Sequence, residues 1–181
     1  MIVTTPFELR VDNGHVVRGD AAAGDEPGYV YVHGLGSARV GAKSESLLAH
    51  AQSHHRAFLR IDQRGHGESS GTLGVTTIGE LIDDLQALLE RTGPRRLVGS
   101  SLGGLVAAFA AAARPELVVG LCLLAPAFGS LHDIERRLDA DGRMWTSNGI
   151  GFHVTRRVPD DARRLDERGL PARLPMPVFV V

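Results

Sequence analysis

The 181-residue chain carries 20 Lys and Arg against 21 Asp and Glu, a formal net charge of −1, with 43% hydrophobic and 23% charged residues. This is an ordinary globular composition. The length predicts one domain over residues 1–181, large enough to bury about two-thirds of its unfolded surface without disulfides or structural metal, so stapled mini-proteins are excluded. Near-neutral charge provides no basic field, so no nucleic-acid or membrane-surface partner is expected. The single cysteine, Cys122, has no partner for an intramolecular disulfide and lies in the apolar run Leu121–Leu124, where it reads as a small buried hydrophobe in a reducing compartment. The N-terminus lacks a basic and apolar signal segment, and the longest apolar run, Leu117–Phe128, is broken by Gly120 and Pro126. A cytoplasmic protein without a membrane span is therefore expected.

The chain opens with two short alternating segments, Phe7–Val11 and His15–Arg18, separated by Asp12-Asn13-Gly14, which predicts a hairpin. From Gly28 onward the pattern becomes apolar strand, glycine-rich turn and amphipathic helix: Tyr29–His33, Leu47–Ser53, Ala57–Asp62 and Thr77–Arg91. That alternation predicts right-handed βαβ units and a mostly parallel sheet. Within Thr77–Arg91 the residues Ile78, Leu81, Ile82, Leu85, Leu88 and Leu89 share one helical face, Thr77 and Glu80 form a capping box, and Gly93-Pro94 stops the helix. A strand at Arg96–Val98 then runs into Gly99, and a buried helical stripe through Leu105, Val106, Phe109, Ala112 and Ala113 follows. After a strand at Val118–Ala125, the Arg- and Asp-rich stretch from Gly129 to Pro175 reads as an excursion outside the sheet containing one or two helices. Pro177–Val181 reads as a returning strand.

Gly99-Ser100-Ser101-Leu102-Gly103 matches G-x-S-x-G and sits between a predicted strand and a predicted helix, where a nucleophile elbow must lie. The small flanking residues leave room for a strained turn that lifts the central hydroxyl above the sheet. The spacing makes Ser101, not Ser100, the nucleophile. His33-Gly34-Leu35-Gly36 closes the third strand, at the sheet end where ligand-binding loops gather. A tetrahedral intermediate needs two backbone donors, and the N–H groups of Leu35 and Leu102 form the natural oxyanion hole. His33 is expected to shape this loop by hydrogen bonding rather than act as a base.

With these motifs, the chain resembles the α/β-hydrolase superfamily, in particular its small bacterial esterase-like members. Asp62-Gln63-Arg64-Gly65-His66-Gly67-Glu68-Ser69 looks like the family's D-x-R-G-x-G-x-S loop after the fourth strand, and the elbow looks like that of acyl-thioesterase and depalmitoylase members. The resemblance implies an α/β-hydrolase fold with an eight-stranded, mostly parallel sheet, helices on both faces and a lid over residues 129–175 after strand six. It also implies a chain order of nucleophile, acid and histidine, with the last two after strands seven and eight. The chain ends within predicted strand seven, so both are expected beyond residue 181, and the 181 residues themselves are expected to be poorly active.

Asp133, His132 and His153 offer the only later material for a rewired triad, and they are expected to decorate the lid surface. His50 and His54, spaced i, i+4, lack the Glu of an H-E-x-x-H arrangement, so no metal and no cofactor are expected. Met144, Trp145, Ile150 and Phe152 form the main apolar cluster of the lid, with Met144, Trp145 and Phe152 as candidate substrate-binding residues. The leading reading is a serine esterase or thioesterase acting on a small acyl substrate. The alternatives are a non-catalytic small-ligand binder of the same fold and a serine peptidase.

Overall fold

The computed structural model describes residues 3–130 and 133–181. Two strands, β1 (Thr5–Arg10) and β2 (Val16–Ala22), form the expected antiparallel hairpin, its reversal eased by Asn13 and Gly14 at φ 58° and 75°. Then come β3 (Asp25–Val32), α1 (Ala42–Ser53), β4 (Arg56–Ile61), α2 (Ile78–Thr92), β5 (Arg95–Ser100), α3 (Leu102–Ala113) and β6 (Val118–Leu124). The main sheet has seven strands in the order β1-β2-β4-β3-β5-β6-β9, where β9 is Val178–Val180. β2 runs antiparallel to β4, and every neighbour from β4 to β9 is parallel. This is the α/β-hydrolase architecture; the implied eighth strand is not among the described residues.

Alternation along each strand sorts side chains to the two faces. Val30, Val32, Leu59, Ile61, Leu97, Leu121 and Leu123 pack with α2 and α3, whereas Tyr31, Phe58 and Val98 pack with Leu48 and Ala51 of α1. Helix α2 begins as its sequence dictates: Thr77 Oγ1 accepts from the Glu80 N–H at 3.2 Å, and Glu80 Oε2 accepts from the Thr77 N–H at 2.8 Å. Cys122 departs from expectation and is only half-buried, because it lies on the α1 side of β6, toward the β9 edge where Phe179 pairs with it and is itself 66% exposed.

The 129–175 segment leaves the main sheet and contains a helix, as its sequence suggests, but it also holds a pair of strands that the sequence did not announce. It forms an antiparallel hairpin, β7 (Arg143–Trp145) with β8 (Gly151–His153), followed by one short helix, α4 (Arg157–Ala162). Gly142 and Gly149, at φ 72° and 82°, bracket turns that a helix would not tolerate, and Met144 lies opposite Phe152 across the hairpin.

Candidate active site

Ser101 lies between β5 and α3 at φ 52° and ψ −118°, a region that a non-glycine residue enters at a cost of order 1–3 kcal/mol. Surrounding hydrogen bonds hold it there. Its N–H donates to Leu124 O of β6 at 2.9 Å, and its carbonyl accepts from the N–H groups of Gly104 (3.0 Å), Leu105 (3.2 Å) and Ala127 (3.1 Å). The turn also needs its glycines: a Cβ on Gly99 would strike the Gly103 carbonyl, and one on Gly103 would strike the Val32 carbonyl of β3. The result exposes Ser101 at the carboxyl end of the sheet while Ser100 stays 6% exposed within β5.

The β3 loop abuts this serine, since a Cβ on Gly34 would lie 3.2 Å from Ser101 Cβ and 3.8 Å from its Oγ. Neither Leu35 N–H nor Leu102 N–H donates to an acceptor among the described residues. Two histidines set the loop's shape. His33 is fully buried; its Nδ1 donates to Gly34 O at 2.8 Å and its Nε2 accepts from the Gln63 N–H at 3.1 Å. His66 donates through Nδ1 to Arg64 O at 3.2 Å and accepts at Nε2 from the Gly36 N–H at 3.1 Å. The rings meet edge to face at 5.0 Å. Both ring nitrogens of each are thus engaged, which fixes one neutral tautomer and leaves neither as a proton acceptor for Ser101. Asp62, 1% exposed, accepts from the Arg39 and Glu68 N–H groups at 2.7 and 3.0 Å and closes the neighbouring loop.

Burial pushes the His33 pKa down to about 4, with His66 adding to the effect and the Gly34 carbonyl and Asp62 opposing it; burial lowers His66 as well. The unfolded chain, with an ordinary histidine pKa near 6.5, then binds more protons than the folded one at mildly acid pH. The His33 contribution to stability is fully present above about pH 6.5 and is lost as pH falls through about 4, a total of about 3 kcal/mol. Urea midpoints measured from neutral to acid pH should fall accordingly, and less steeply in His33→Gln. Equal slopes in the two proteins would refute this origin.

A cavity of about 260 Å³ opens above Ser101. Leu35, Leu102, Ile78 and Leu81 line it from the fold, and Met144, Trp145 and Phe152 line it from the hairpin, so all three candidate substrate residues share the cavity with the serine. Ile150 does not line it and is 43% exposed. Two contacts strap the hairpin down: Asn148 Nδ2 donates to Gly36 O at 2.9 Å, and the Thr155 N–H donates to Gly74 O at 2.8 Å. Strand alternation turns His153 away from the cavity, where its Nε2 accepts from Arg143 Nε at 3.1 Å. Asp133 is exposed and ion-paired with Arg136 at 3.2 Å; His132 lies outside the described residues. The structure therefore does not bring Asp133 and His153 to Ser101. His50 of α1 and His54, which caps its end, stack at 4.3 Å, and among the described residues no group of three His, Cys, Asp or Glu side chains is arranged to hold a metal. No helix among these residues is long and apolar enough to cross a membrane.

Sequence reasoning gave no role to His66, Asn148 or Arg137, all of which touch the loop or the cavity. Only His66 had a signal, its place in the loop that follows β4.

The family described as "Serine aminopeptidase, S33" matches residues 29–158. The chain is 38% identical over 110 residues to the mitochondrial palmitoyl-protein thioesterase ABHD10 of Mus musculus, a match covering 60% of this chain and 37% of that protein. It is 31% identical over 148 residues to the sn-1-specific diacylglycerol lipase ABHD11 of Danio rerio, covering 78% of this chain and 45% of the relative. Among solved structures, alpha/beta hydrolase domain-containing protein 10 from mouse superposes with a TM-score of 0.77 at 23% identity, covering 97% of this chain and 88% of that one. Est1E from Butyrivibrio proteoclasticus bound to ferulic acid reaches 0.82 at 17% identity, covering 96% and 77%. The thioesterase relatives are named as mitochondrial proteins, which overturns the expectation of a cytoplasmic location drawn from the N-terminal residues: composition near the terminus does not report the compartment. Since the family match runs from β3 through the Ser101 turn into α4, the chain belongs to this serine aminopeptidase family of the α/β-hydrolase superfamily.

Proposed function

We propose that the chain is a serine hydrolase of carboxylic esters or thioesters, working through an acyl-enzyme on Ser101. The observation that carries this reading is a serine held at φ 52° against an apolar cavity, beside two backbone N–H groups without acceptors among the described residues. Ser101 Oγ attacks the acyl carbonyl and loses its proton to a base, while the Leu35 and Leu102 N–H groups take up the developing oxyanion. Collapse of the tetrahedral adduct breaks the carbonyl bond to the alkoxide or thiolate, which leaves with that proton. Water then repeats the sequence and frees the acid. No described histidine offers Ser101 a free ring nitrogen, so the base is assigned outside the described residues. The thioesterase and lipase names of the relatives agree with this substrate class.

The family description favours a second reading, an aminopeptidase. Holding a peptide's free amino terminus calls for a carboxylate near the nucleophile, and the described lining of the cavity contains two arginines and neither Asp nor Glu. A mere ligand binder would have no use for backbone strain at Ser101. Assays with an acyl thioester, an aryl ester and an aminoacyl anilide, run on a protein that also supplies the base, separate the three: turnover of the first two and not the third is expected, and anilide cleavage alone would replace the proposal.

The 129–175 segment is assigned as the lid and Met144, Trp145 and Phe152 as acyl-contacting residues. Trp145→Ala should then lower kcat/KM for long-chain esters by roughly tenfold relative to short-chain esters, as expected when apolar contact with the acyl chain is lost. A uniform loss accompanied by a lower Tm would make Trp145 an anchor of the hairpin instead.

A further inference from the structure

The cavity over Ser101 is asymmetric in charge. It is lined by two guanidinium groups, Arg64 and Arg137, and by no carboxylate among the described residues. Arg64 is 3% exposed and already matched: its fork meets Asp84 of α2 at 2.9 and 2.5 Å, with Glu80 at 3.7 Å. Arg137 is not. It is exposed at the end of the single turn Glu135–Arg137 and makes no ion pair or side-chain hydrogen bond among the described residues. The charges around it are occupied elsewhere, Asp133 with Arg136 at 3.2 Å and Glu135 with Arg163 at 2.6 Å. Ser130 and Ser147 line the same cavity and can add hydroxyl contacts.

A cation at the rim of an apolar cavity loses water when a ligand fills the space, and a neutral ligand gives nothing in return. An anionic group on the ligand supplies the missing partner, and a guanidinium suits carboxylate or phosphate in a two-pronged geometry. We propose that Arg137 determines specificity: the ester or thioester cleaved at Ser101 carries a carboxylate or phosphate, remote from the scissile carbonyl, that pairs with Arg137. This builds on the hydrolase reading of the same cavity, but its test does not need turnover.

Trp145 is the only tryptophan in the chain and lines the cavity, so its emission reports occupancy directly. In the Ser101→Ala protein, monomethyl esters of linear dicarboxylic acids of increasing length are titrated against methyl esters of monocarboxylic acids of matched length, with alkyl phosphates as a further arm. At one or more lengths the anionic ligand should bind about threefold to tenfold more tightly at low salt, and added salt should shrink the difference. Arg137→Gln should abolish the preference, whereas Arg136→Gln, which alters a residue outside the cavity lining, should keep it. Whichever of carboxylate and phosphate binds more tightly names the recognised group. Equal affinity for charged and neutral ligands at every length, or a preference that survives Arg137→Gln, overturns the proposal. Ester hydrolysis without an anion preference would sink this inference and leave the hydrolase reading; an Arg137-dependent preference with no hydrolysis even in a protein that supplies the base would do the reverse.

Discussion

In a protein that also supplies the base assigned outside the described residues, Ser101→Ala should abolish labelling by a fluorophosphonate probe and lower turnover by on the order of 10⁶, while Ser100→Ala leaves both nearly intact. Alanine meets the same backbone penalty as serine at φ 52°, so the substitution removes the hydroxyl without adding strain to the turn. Ser100 differs by one position and by everything that matters to reactivity: it is the last residue of β5, 6% exposed, and does not line the cavity. Its replacement should change stability only modestly, since its hydroxyl makes no hydrogen bond in the described structure. Labelling that persists in Ser101→Ala, or a loss of only a few fold, would remove Ser101 as nucleophile.

What could be read from the sequence was whatever depends on near neighbours. The tight turn at Ser101 is one case, because its determinants lie within five positions: Gly99 faces the Gly103 carbonyl and Gly103 faces the Val32 carbonyl of β3, each too closely for a side chain. The central strands are another: Val30-Tyr31-Val32 and Leu121-Cys122-Leu123 divide their side chains between two helical layers by simple alternation. The 129–175 segment resisted because β7 and β8 have three residues each, too few to display a period, and because distant groups hold them. Asn148 is tied to Gly36, and Thr155 to Gly74. His66 resisted for the same reason. Its ring acts on the Gly36 N–H, thirty positions earlier in the chain, and no spacing rule within its own loop announces that contact. Met144 and Phe152 were recognised as apolar but not as a facing pair, since pairing is a property of the hairpin rather than of either residue.

The same geometry predicts that the 181-residue chain turns over an activated aryl ester poorly. A serine alcohol becomes a competent nucleophile when an imidazole nitrogen accepts its proton and a carboxylate orients that imidazole. His66 lines the cavity, but its Nε2 already accepts from Gly36 and its Nδ1 donates to Arg64 O. His33 is sealed beneath the loop with both nitrogens used. His153 faces Arg143 on the far side of the hairpin, and Asp133, paired with Arg136, orients no imidazole among the described residues. With only the proposed Leu35 and Leu102 oxyanion hole at work, a residual enhancement of roughly 10³–10⁴ over water is expected, as for serine hydrolases stripped of their triads. Initial rates with the purified chain, compared with Ser101→Ala and with buffer, measure this directly. Robust turnover that vanishes in both Ser101→Ala and His132→Ala would overturn the prediction and assign the base to His132. Robust turnover that vanishes in His153→Ala would instead require the β7–β8 hairpin to abandon its Arg143 pairing and turn that edge toward the serine.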